Sequence, residues 1–342
     1  MQAEVKPHTV AYDRKDFMTD QHVRWCPGCG DFMILNTMRK VFADIGVRKE
    51  DFTLVSGIGC SSRITYYMET YGIHSIHGRA IATASGVKLA NPGLSVWVAT
   101  GDGDCMAIGG NHFIHAVRRN IDLNIIIFNN RIYGMTKGQS SPTSPEGLKT
   151  KTAPGGVYER PFNIGEAAIG CGASFFARVP DKDYKMLEET MHAAYKHKGT
   201  SVIEVLQNCV IYTDGIHEQI TSKETKDENQ VVLSHGETIR FGKDDEYGLV
   251  LNGMKLKKEK FGQSIPDEAF LKHDMHEESS PFHLALARMQ LPEFPVATGI
   301  LRQVEDVSYD AQVYNAIEAA KKYTPYKSTS DLFMSGNTWE VK

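Results

Sequence analysis

The sequence predicts an α/β fold built on a doubly wound parallel sheet. Short, continuous apolar runs are typical of strands buried on both faces, and helical stretches separate these runs, which favours a parallel sheet. The chain has 342 residues, 41% of them hydrophobic, which is enough for a large buried core. The predicted strands are 52–56, 94–100, 123–129 and 201–206, and the predicted helices are 79–90, 107–119 and 181–197.

A further helix is predicted to begin at Asp31, after an N-terminal extension of residues 1–24. Apolar residues recur at helical spacing from Ile34 to Ile45. Asp31 has a side chain that can cap a helix, and Gly46 is expected to end it.

The sequence changes character after about residue 215. Residues 217–280 are rich in charge, and Asn252-Gly253 between two apolar runs predicts a hairpin. One more helix is expected at 280–291. We therefore expect a core domain at 25–215 and a C-terminal extension at 216–342, which docks on the core or on a partner.

Composition excludes several classes of protein. The chain has 38 Lys and Arg against 42 Asp and Glu, with a sequence pI of about 6.4, so it resembles neither a nucleic-acid-binding nor a membrane-surface protein. No run approaches the ~18 apolar residues of a membrane span, and residues 1–17 lack the apolar core of a signal peptide. We expect a cytoplasmic protein whose six cysteines are thiols or metal ligands.

A metal and diphosphate site is predicted at the ends of two strands. The motif GDGD, residues 101–104, follows one strand, and the motif NN, residues 129–130, ends the next. Ligands of open parallel sheets bind beyond the carboxyl ends of the strands. There, Asp102, Asn130 and a backbone carbonyl near Ile132 are ligands that Mg²⁺ accepts beside phosphate oxygens. The glycines allow close approach of the backbone, and the helix predicted to start near residue 107 should direct its N-terminus at the phosphates.

Four cysteines form a second constellation. Cys26 and Cys29, in WCPGCG, precede the first helix, whereas Cys60 and Cys209 each follow a predicted strand. A CxxC pair alone is compatible with a zinc knuckle, a redox dithiol or half of a cluster site. Four thiolates suit either a [4Fe–4S] cluster or zinc. The other cysteines have small apolar neighbours and are expected to be buried structural residues: Cys105 and Cys171.

With these motifs in order, the chain resembles the β subunits of the 2-oxoacid:ferredoxin oxidoreductases. The resemblance covers about residues 22–215 and rests on CPGCG, GIGCSS, HGRAIATASGVKLANP, GDGD…NN, YGMTKGQSSPTS and NCVIY; the C-terminal third is less distinctive. The GDG…NN pair is itself similar to the thiamine-diphosphate signature. The resemblance implies a sheet of the thiamine-diphosphate-binding type, with one [4Fe–4S] cluster close to the thiamine.

The resemblance also implies roles for individual residues. The implied cluster ligands are Cys26, Cys29, Cys60 and Cys209, and the implied Mg²⁺ ligands are Asp102, Asn130 and the carbonyl of Ile132. The implied thiamine-diphosphate contacts are Ile58, Gly59, Cys60, Ser61, His77, Gly103, Asp104, Gly134 and Met135. His77, beside glycine at the start of a helix, is also expected to take part in catalysis.

Reaction and partners follow from the same resemblance. It implies a CoA-dependent oxidative decarboxylation of a 2-oxoacid, with electrons passing through the cluster to ferredoxin. Thiamine activation needs a carboxylate from a pyrimidine-binding domain, and this chain has only one domain's worth of parallel-sheet pattern. The activating Glu is therefore expected on a separate α subunit, in an α₂β₂-like assembly.

The choice of substrate depends on Arg63, three residues after Cys60. A guanidinium can bind a carboxylate through two parallel hydrogen bonds, and the family carries a basic residue associated with substrate recognition at the matching position. Met135, expected across the pocket, is flexible enough to admit a longer chain. We expect 2-oxoglutarate as the substrate, with pyruvate second.

Two other functions are compatible with parts of this pattern. One is a non-redox thiamine-dependent decarboxylase or synthase subunit with zinc on the cysteines. The other is an iron–sulfur electron-transfer protein whose sheet binds no thiamine. The four-cysteine arrangement opposes the first, and the GDG…NN pair opposes the second.

Overall fold

A computed structural model describes residues 10–253, 255–263 and 265–341. The strands in these ranges are β1 (Phe52–Ser56), β2 (Tyr71–His74), β3 (Ser95–Gly101), β4 (Asn124–Asn129), β5 (Ile132–Tyr133), β6 (Gln139–Ser140), β7 (Phe175–Pro180), β8 (Ser201–Leu206), β9 (Gln230–Val232), β10 (Arg240–Phe241), β11 (Tyr247–Asn252), β12 (Lys255–Lys260) and β13 (Val296–Gln303). The α-helices are α1 (Asp31–Ile45), α2 (Ala80–Ala90), α3 (Asp102–Met106), α4 (Gly110–Arg119), α5 (Ile164–Gly170), α6 (Tyr184–Lys196), α7 (Glu218–Thr221), α8 (Lys226–Asn229), α9 (Pro281–Arg288), α10 (Tyr309–Tyr323) and α11 (Thr329–Phe333). Short 3₁₀ helices span Arg14–Phe17, Lys49–Asp51, Ser61–Tyr66 and Asp267–Ala269.

The main sheet has eight strands in the order β2-β1-β3-β4-β8-β7-β13-β9. The central strands β1, β3, β4, β8 and β7 are parallel to their neighbours, whereas β13 runs antiparallel to β7. All residues of β1, β4, β7 and β8 are buried, which is why apolar residues predominate in these strands. The predicted α/β class is confirmed, but two strands, β13 and β9, run opposite to the other strands of the sheet, which the sequence did not predict.

Helices cover both faces of this sheet. Side chains of α1 and α6 pack on one face, in a cluster that includes Phe42 and Met191. Side chains of α2, α4, α5 and α9 pack on the other face, in a cluster that includes Phe113 and Leu286. The sheet is therefore doubly wound, as predicted, and its strand ends are left free for a site.

The helix predicted to begin at Asp31 begins there, but its predicted cap is wrong, and a second predicted helix begins later than expected. Gly30 is the N-cap of α1, and the carboxylate of Asp31 is buried without a hydrogen-bond partner, so it does not cap the helix. The helix predicted at 107–119 begins only at Gly110. A separate short helix, α3, begins directly at Asp102, and Ala107 leaves the helical conformation between α3 and α4. The short helix α3, rather than α4, therefore follows the end of β3.

The C-terminal region takes part in the same sheet. Strands β9 and β13 both follow residue 215 and extend the sheet beyond β7. The predicted hairpin is present, with Asn252 paired to Lys255, and it belongs to a small sheet of β10, β11 and β12. Helix α9 confirms the helix expected at 280–291.

The N-terminal extension packs on the core where it is described. Phe17 is fully buried beside α1 and β1, with its ring edge-on to Phe42 and Phe52. Residues 1–9 of the predicted extension lie outside the described residues. Within the described ranges, no helix is long and apolar enough to cross a membrane.

Candidate functional site

Four neighbouring strands, β1, β3, β4 and β8, end at one edge of the sheet and bring their loops together. Above β1, β3 and β4 lies a cavity of about 380 Å³, which we call the strand-end cavity. Every residue predicted to contact thiamine diphosphate or Mg²⁺ lines it. Its lining is Ile58, Gly59, Cys60, Ser61, His77, Gly101, Asp102, Gly103, Asp104, Phe128, Asn130, Ile132, Tyr133, Gly134, Met135, Thr136 and Gln139.

Asp104 holds three parts of this cavity together. Its Oδ1 accepts hydrogen bonds from the backbone N–H groups of Ile58 (3.1 Å) and Gly78 (2.7 Å) and lies 2.7 Å from Nδ1 of His77. Its Oδ2 accepts from the hydroxyl of Thr100 at 2.7 Å. Asp104 was predicted as a cofactor contact; its geometry is that of a buried carboxylate that positions the loops around the cavity.

Asp102 is also buried, at 2% exposed, and two hydroxyls orient it. Oδ2 accepts hydrogen bonds from Ser141 and Thr143, each at 2.5 Å. Burial raises the pKa of this carboxyl, and the two hydroxyls oppose that rise. A nearby cation would stabilise the ionised form of such a group.

A buried chain of polar groups continues from this carboxylate into the sheet. Thr143 lies 3.1 Å from Oδ1 of Asn129, the amide of Asn129 donates to Glu204 at 2.7 Å, and Arg178 donates to the other oxygen of Glu204 at 2.7 Å. Strands β4, β7 and β8 thus hold the loop of Ser141 and Thr143 in place. The hydroxyls belong to the quoted motif YGMTKGQSSPTS, yet they carry no spacing signal that would have marked them as partners of Asp102.

The lining of the strand-end cavity fits a diphosphate with a hard cation. The Ser61 hydroxyl is buried without a hydrogen-bond partner, and a phosphate oxygen would satisfy it. Asp102, Asn130 and Ile132 all line this cavity, and a carboxylate, a side-chain amide and a backbone carbonyl are oxygen donors of the kind Mg²⁺ prefers. Oδ1 of Asn130 accepts from the Ile132 N–H at 3.2 Å, which fixes the turn that carries both residues.

Gly103 is required by its neighbour Tyr133. A Cβ on Gly103 would lie 2.3 Å from the Tyr133 ring, whose hydroxyl donates to the Gly103 carbonyl at 3.0 Å. Burial, with Asp102 and Asp104 nearby, raises the pKa of Tyr133 to about 12. Tyr133 therefore stays a neutral donor, and sequence reasoning did not identify it as part of the site.

The four cysteines predicted as ligands line a second cavity of about 220 Å³, which we call the cysteine cavity. A Cβ on Gly134 would lie 3.6 Å from Sγ of Cys209 and 3.8 Å from Sγ of Cys60, so both sulfurs flank one backbone position. The loop of Cys26 and Cys29 reaches them because Gly30 donates its N–H to the carbonyl of Asn208 at 3.3 Å. The cavity is lined by Arg24, Trp25, Cys26, Cys29, Asp31, Cys60, Arg63, Asn130, Gly134, Met135, Gln207, Cys209, Val210, Ile211 and Tyr212.

Burial raises the pKa of two of these thiols, Cys60 and Cys29. It raises the pKa of Cys60 to about 12, with further contributions from Asp31 and the other sulfurs, and it raises the pKa of Cys29 still more strongly. Burial also raises the pKa of the Asp31 carboxyl to about 7. Thiolates at these positions therefore require positive charge from a metal.

The four cysteine sulfurs are not closely grouped in this structure. A tetrahedral zinc with Zn–S bonds of ~2.3 Å places its sulfurs ~3.8 Å apart. Among the described residues, the cysteine ligand atoms do not form any group of three within 4.8 Å of one another, although Asp44, Glu188 and His192 do.

The remaining two cysteines lie elsewhere. Cys105 is buried in the apolar cluster beneath α2 and α4, as expected. Cys171, at the end of α5, is only half-buried. Its small apolar neighbours predicted a buried cysteine, and that prediction is wrong.

Arg63 lines the cysteine cavity and is not part of the strand-end lining that contains His77. It lies in the 3₁₀ helix after Cys60, half-buried, and its Nε has no hydrogen-bond partner. Four residues line both cavities: Cys60, Asn130, Gly134 and Met135. These shared residues therefore lie between Arg63 and the predicted thiamine site.

Comparisons with known proteins identify relatives of this chain. Residues 57–205 match the family described as thiamine pyrophosphate enzyme, C-terminal TPP binding domain. The chain is 45% identical over 330 residues to the 2-oxoglutarate oxidoreductase subunit KorB of Mycobacterium tuberculosis, covering 96% of this chain and 88% of that protein. It is 50% identical to the 2-oxoglutarate synthase subunit KorB of Archaeoglobus fulgidus over 185 residues, which cover 54% of this chain and 69% of that protein.

A solved structure extends the likeness to the C-terminal region. It is the 2-oxoglutarate:ferredoxin oxidoreductase from Magnetococcus marinus with 2-oxoglutarate, coenzyme A and succinyl-CoA bound. The TM-score is 0.77 at 28% identity, over 96% of this chain and 98% of that chain. The likeness therefore includes the strands and helices after residue 215.

Proposed function

This chain belongs to the family of 2-oxoacid:ferredoxin oxidoreductase β subunits, and on that basis we propose that it binds thiamine diphosphate with Mg²⁺ in the strand-end cavity and a [4Fe–4S] cluster in the cysteine cavity. One observation carries the proposal. Cys60 lines both cavities, and Gly134 and Met135 lie in the wall between them. A cluster ligand would thus form part of the thiamine site itself, which suits electron transfer over a short distance.

The chain's own residues have defined tasks in this proposal. Asp102, Asn130 and the carbonyl of Ile132 hold Mg²⁺, and Ser61 donates to the diphosphate. When bound, thiamine diphosphate supplies the carbanion chemistry that decarboxylates a 2-oxoacid, and an iron–sulfur cluster accepts electrons one at a time. His77, fixed through Nδ1 by Asp104, keeps Nε2 available to hydrogen-bond a bound molecule.

The substrate and the partners are part of the proposal. We infer that the substrate is 2-oxoglutarate, with pyruvate second, because the KorB proteins of M. tuberculosis and A. fulgidus are named for 2-oxoglutarate and the M. marinus structure holds 2-oxoglutarate, coenzyme A and succinyl-CoA. Coenzyme A takes the acyl group and ferredoxin takes the electrons. An α subunit supplies the activating Glu, in an α₂β₂ assembly.

Iron and the absorption spectrum test the cluster directly. Anaerobically purified wild-type protein should show a broad shoulder near ~400 nm, which zinc proteins lack. Cys26→Ser, Cys29→Ser, Cys60→Ser and Cys209→Ser should each lower iron and sulfide content, together with 2-oxoglutarate-dependent ferredoxin reduction by the assembled enzyme. Cys105→Ser and Cys171→Ser are matched controls that should keep the cluster. Full zinc occupancy with a colourless wild type would instead support the non-redox thiamine enzyme.

A further inference from the structure

The Gln207 side chain is a fully buried polar group that lines the cysteine cavity. It follows β8, lies two residues before Cys209, and is 0% exposed. Its backbone N–H donates to the carbonyl of Asn129 at 3.1 Å, which continues the pairing of β4 with β8. The residue is therefore fixed to the sheet, while its side chain lines the cysteine cavity.

A contact with the backbone carbonyl of Asn208 determines the orientation of the Gln207 amide. Nε2 lies 2.6 Å from the carbonyl oxygen of Asn208. Two carbonyl oxygens would repel at that distance, so the atom facing Asn208 must be the nitrogen. The same nitrogen lies 3.3 Å from Sγ of Cys29, and the amide oxygen is buried without a partner.

The surroundings hold this amide in place. The carbonyl of Asn208 also accepts the N–H of Gly30, and the N–H of Asn208 donates to Asp181 at 2.7 Å. A Cβ on Gly30 would lie 2.0 Å from Oδ2 of Asp181 and 3.1 Å from Cγ of Gln207, so the glycine of CPGCG leaves space for both side chains. Among the described residues, Gln207 is the one whose side-chain N–H is directed at a cysteine sulfur, and the backbone N–H of Asp31 faces the same Cys29 sulfur.

We propose that Gln207 is a positioning residue that donates an N–H···S hydrogen bond to the Cys29 ligand and raises the reduction potential of the cluster. This inference rests on the proposed function. Reduction adds negative charge to the cluster and its thiolates, and a fixed N–H donor stabilises the more negative state.

The test is a redox titration of the assembled enzyme, followed by the EPR signal of the reduced cluster. Gln207→Met keeps an unbranched side chain of similar length but removes the donor. At a fixed solution potential, the ratio of reduced to oxidised cluster should be about tenfold lower than in the wild type. This corresponds to a reduction potential about 59 mV more negative for a one-electron couple. Iron content and thiamine-diphosphate retention should stay at the wild-type level.

A second variant and a matched control keep the result interpretable. Gln207→Glu is nearly isosteric and replaces the donor with an acceptor, so its potential should also become more negative. Gln230→Met removes an amide hydrogen bond to Thr298 at 2.9 Å, on edge strand β9, and should leave the potential unchanged.

Three outcomes separate the possibilities. An unchanged potential in both Gln207 variants with full iron would overturn the inference while leaving the cluster in place. Loss of iron from both variants would show that Gln207 only holds the loop, and would also overturn it. A wild type without an iron–sulfur signal would instead overturn the proposed function.

Discussion

Nδ1 of His77 lies 2.7 Å from Oδ1 of Asp104, and the two residues belong to different loops of the strand-end cavity. A carboxylate can only accept, so Nδ1 carries the proton and Nε2 is the ring nitrogen left for a bound molecule. The same oxygen accepts the N–H of Gly78, the residue after His77. Asp104 therefore fixes both the backbone and the ring of His77.

The first prediction is that His77 and Asp104 act as a unit. Asp104→Asn should retain the fold but reduce kcat, because the amide supports the His77 ring less well. The effect of Asp104→Asn should be smaller in a His77→Gln background, with a coupling of ~0.5–3 kcal/mol, as expected for residues in contact. Steady-state kinetics of the four enzymes measure this coupling. Purely additive losses would mean that Asp104 acts on the cavity by another route.

The second prediction concerns the hydroxyl of Thr143, which binds Asp102 at 2.5 Å. Thr143→Val keeps the volume and removes the hydrogen bond. Retention of Mg²⁺ and thiamine diphosphate should weaken by roughly 10- to 100-fold, the usual effect of removing an outer partner of a metal ligand. Asp102→Ala should abolish retention, and Asn130→Ala should weaken it. Thr152→Val, at an exposed position, is the control, and equal cofactor content in both valine variants would contradict the role of Thr143.

The strands that were predicted from the sequence are those whose burial can be recognised from the apolar residues of the strand itself. The strands at 52–56 and 201–206 were predicted with correct bounds, because every residue of β1 and β8 is buried. Strand β7 was missed because Arg178 interrupts its apolar run, and only the ion pair with Glu204 on β8 at 2.7 Å makes that burial possible. Strand β2 is exposed along its whole length and has no apolar pattern to detect.

The residues of the site also fall into those that the sequence predicts and those that it does not. Residues at strand ends in recognisable motifs, such as Asp102 and Cys60, could be placed in advance because the carboxyl ends of parallel strands share one edge. Thr143, Tyr133 and Gln207 could not, since their roles depend on side-chain contacts across loops. Asp31 illustrates the same limit: its position suggests a helix cap, but the fold buries it beside the cysteines.

The third prediction concerns stability in acid and rests on His217. Its Nε2 lies 2.9 Å from the carbonyl of Asn129, and burial, with Arg131 nearby, lowers its pKa from 6.5 to about 3. The unfolded chain therefore binds a proton that the folded chain excludes. The contribution of His217 to the free energy of unfolding is therefore fully present above pH 6.5 and is lost as the pH falls toward about 3.

Urea unfolding at a series of pH values measures this effect. Between pH 6.5 and about 5, wild type should lose about 2 kcal/mol more of its free energy of unfolding than His217→Gln does. His22→Gln, at an exposed position, should keep the wild-type slope. Parallel slopes for wild type and His217→Gln would show that His217 is not the group responsible.

The last prediction concerns Arg63 and the choice of substrate. The backbone N–H of Arg63 donates to the carbonyl of Cys60 at 3.2 Å, and its Nε is buried without a partner. An unpaired guanidinium N–H beside the wall shared by the two cavities is suited to bind a carboxylate. Arg63 also lines the cysteine cavity, so any test must separate an effect on the substrate from an effect on the cluster.

Kinetics with two acids make that separation. If Arg63 binds the distal carboxylate of 2-oxoglutarate, Arg63→Ala should lower kcat/KM for 2-oxoglutarate more than for pyruvate, by ~1.5–3 kcal/mol for a charge-assisted hydrogen bond. The absorption spectrum of the variant should match the wild type, because a damaged cluster would lower both rates alike. Arg24→Ala, at an exposed position on the same cavity, is the matched control and should not discriminate between the acids. Equal losses for both acids with an intact spectrum would place Arg63 on the carboxylate that all 2-oxoacids share, and the preference for 2-oxoglutarate would then have to come from other residues or from the α subunit.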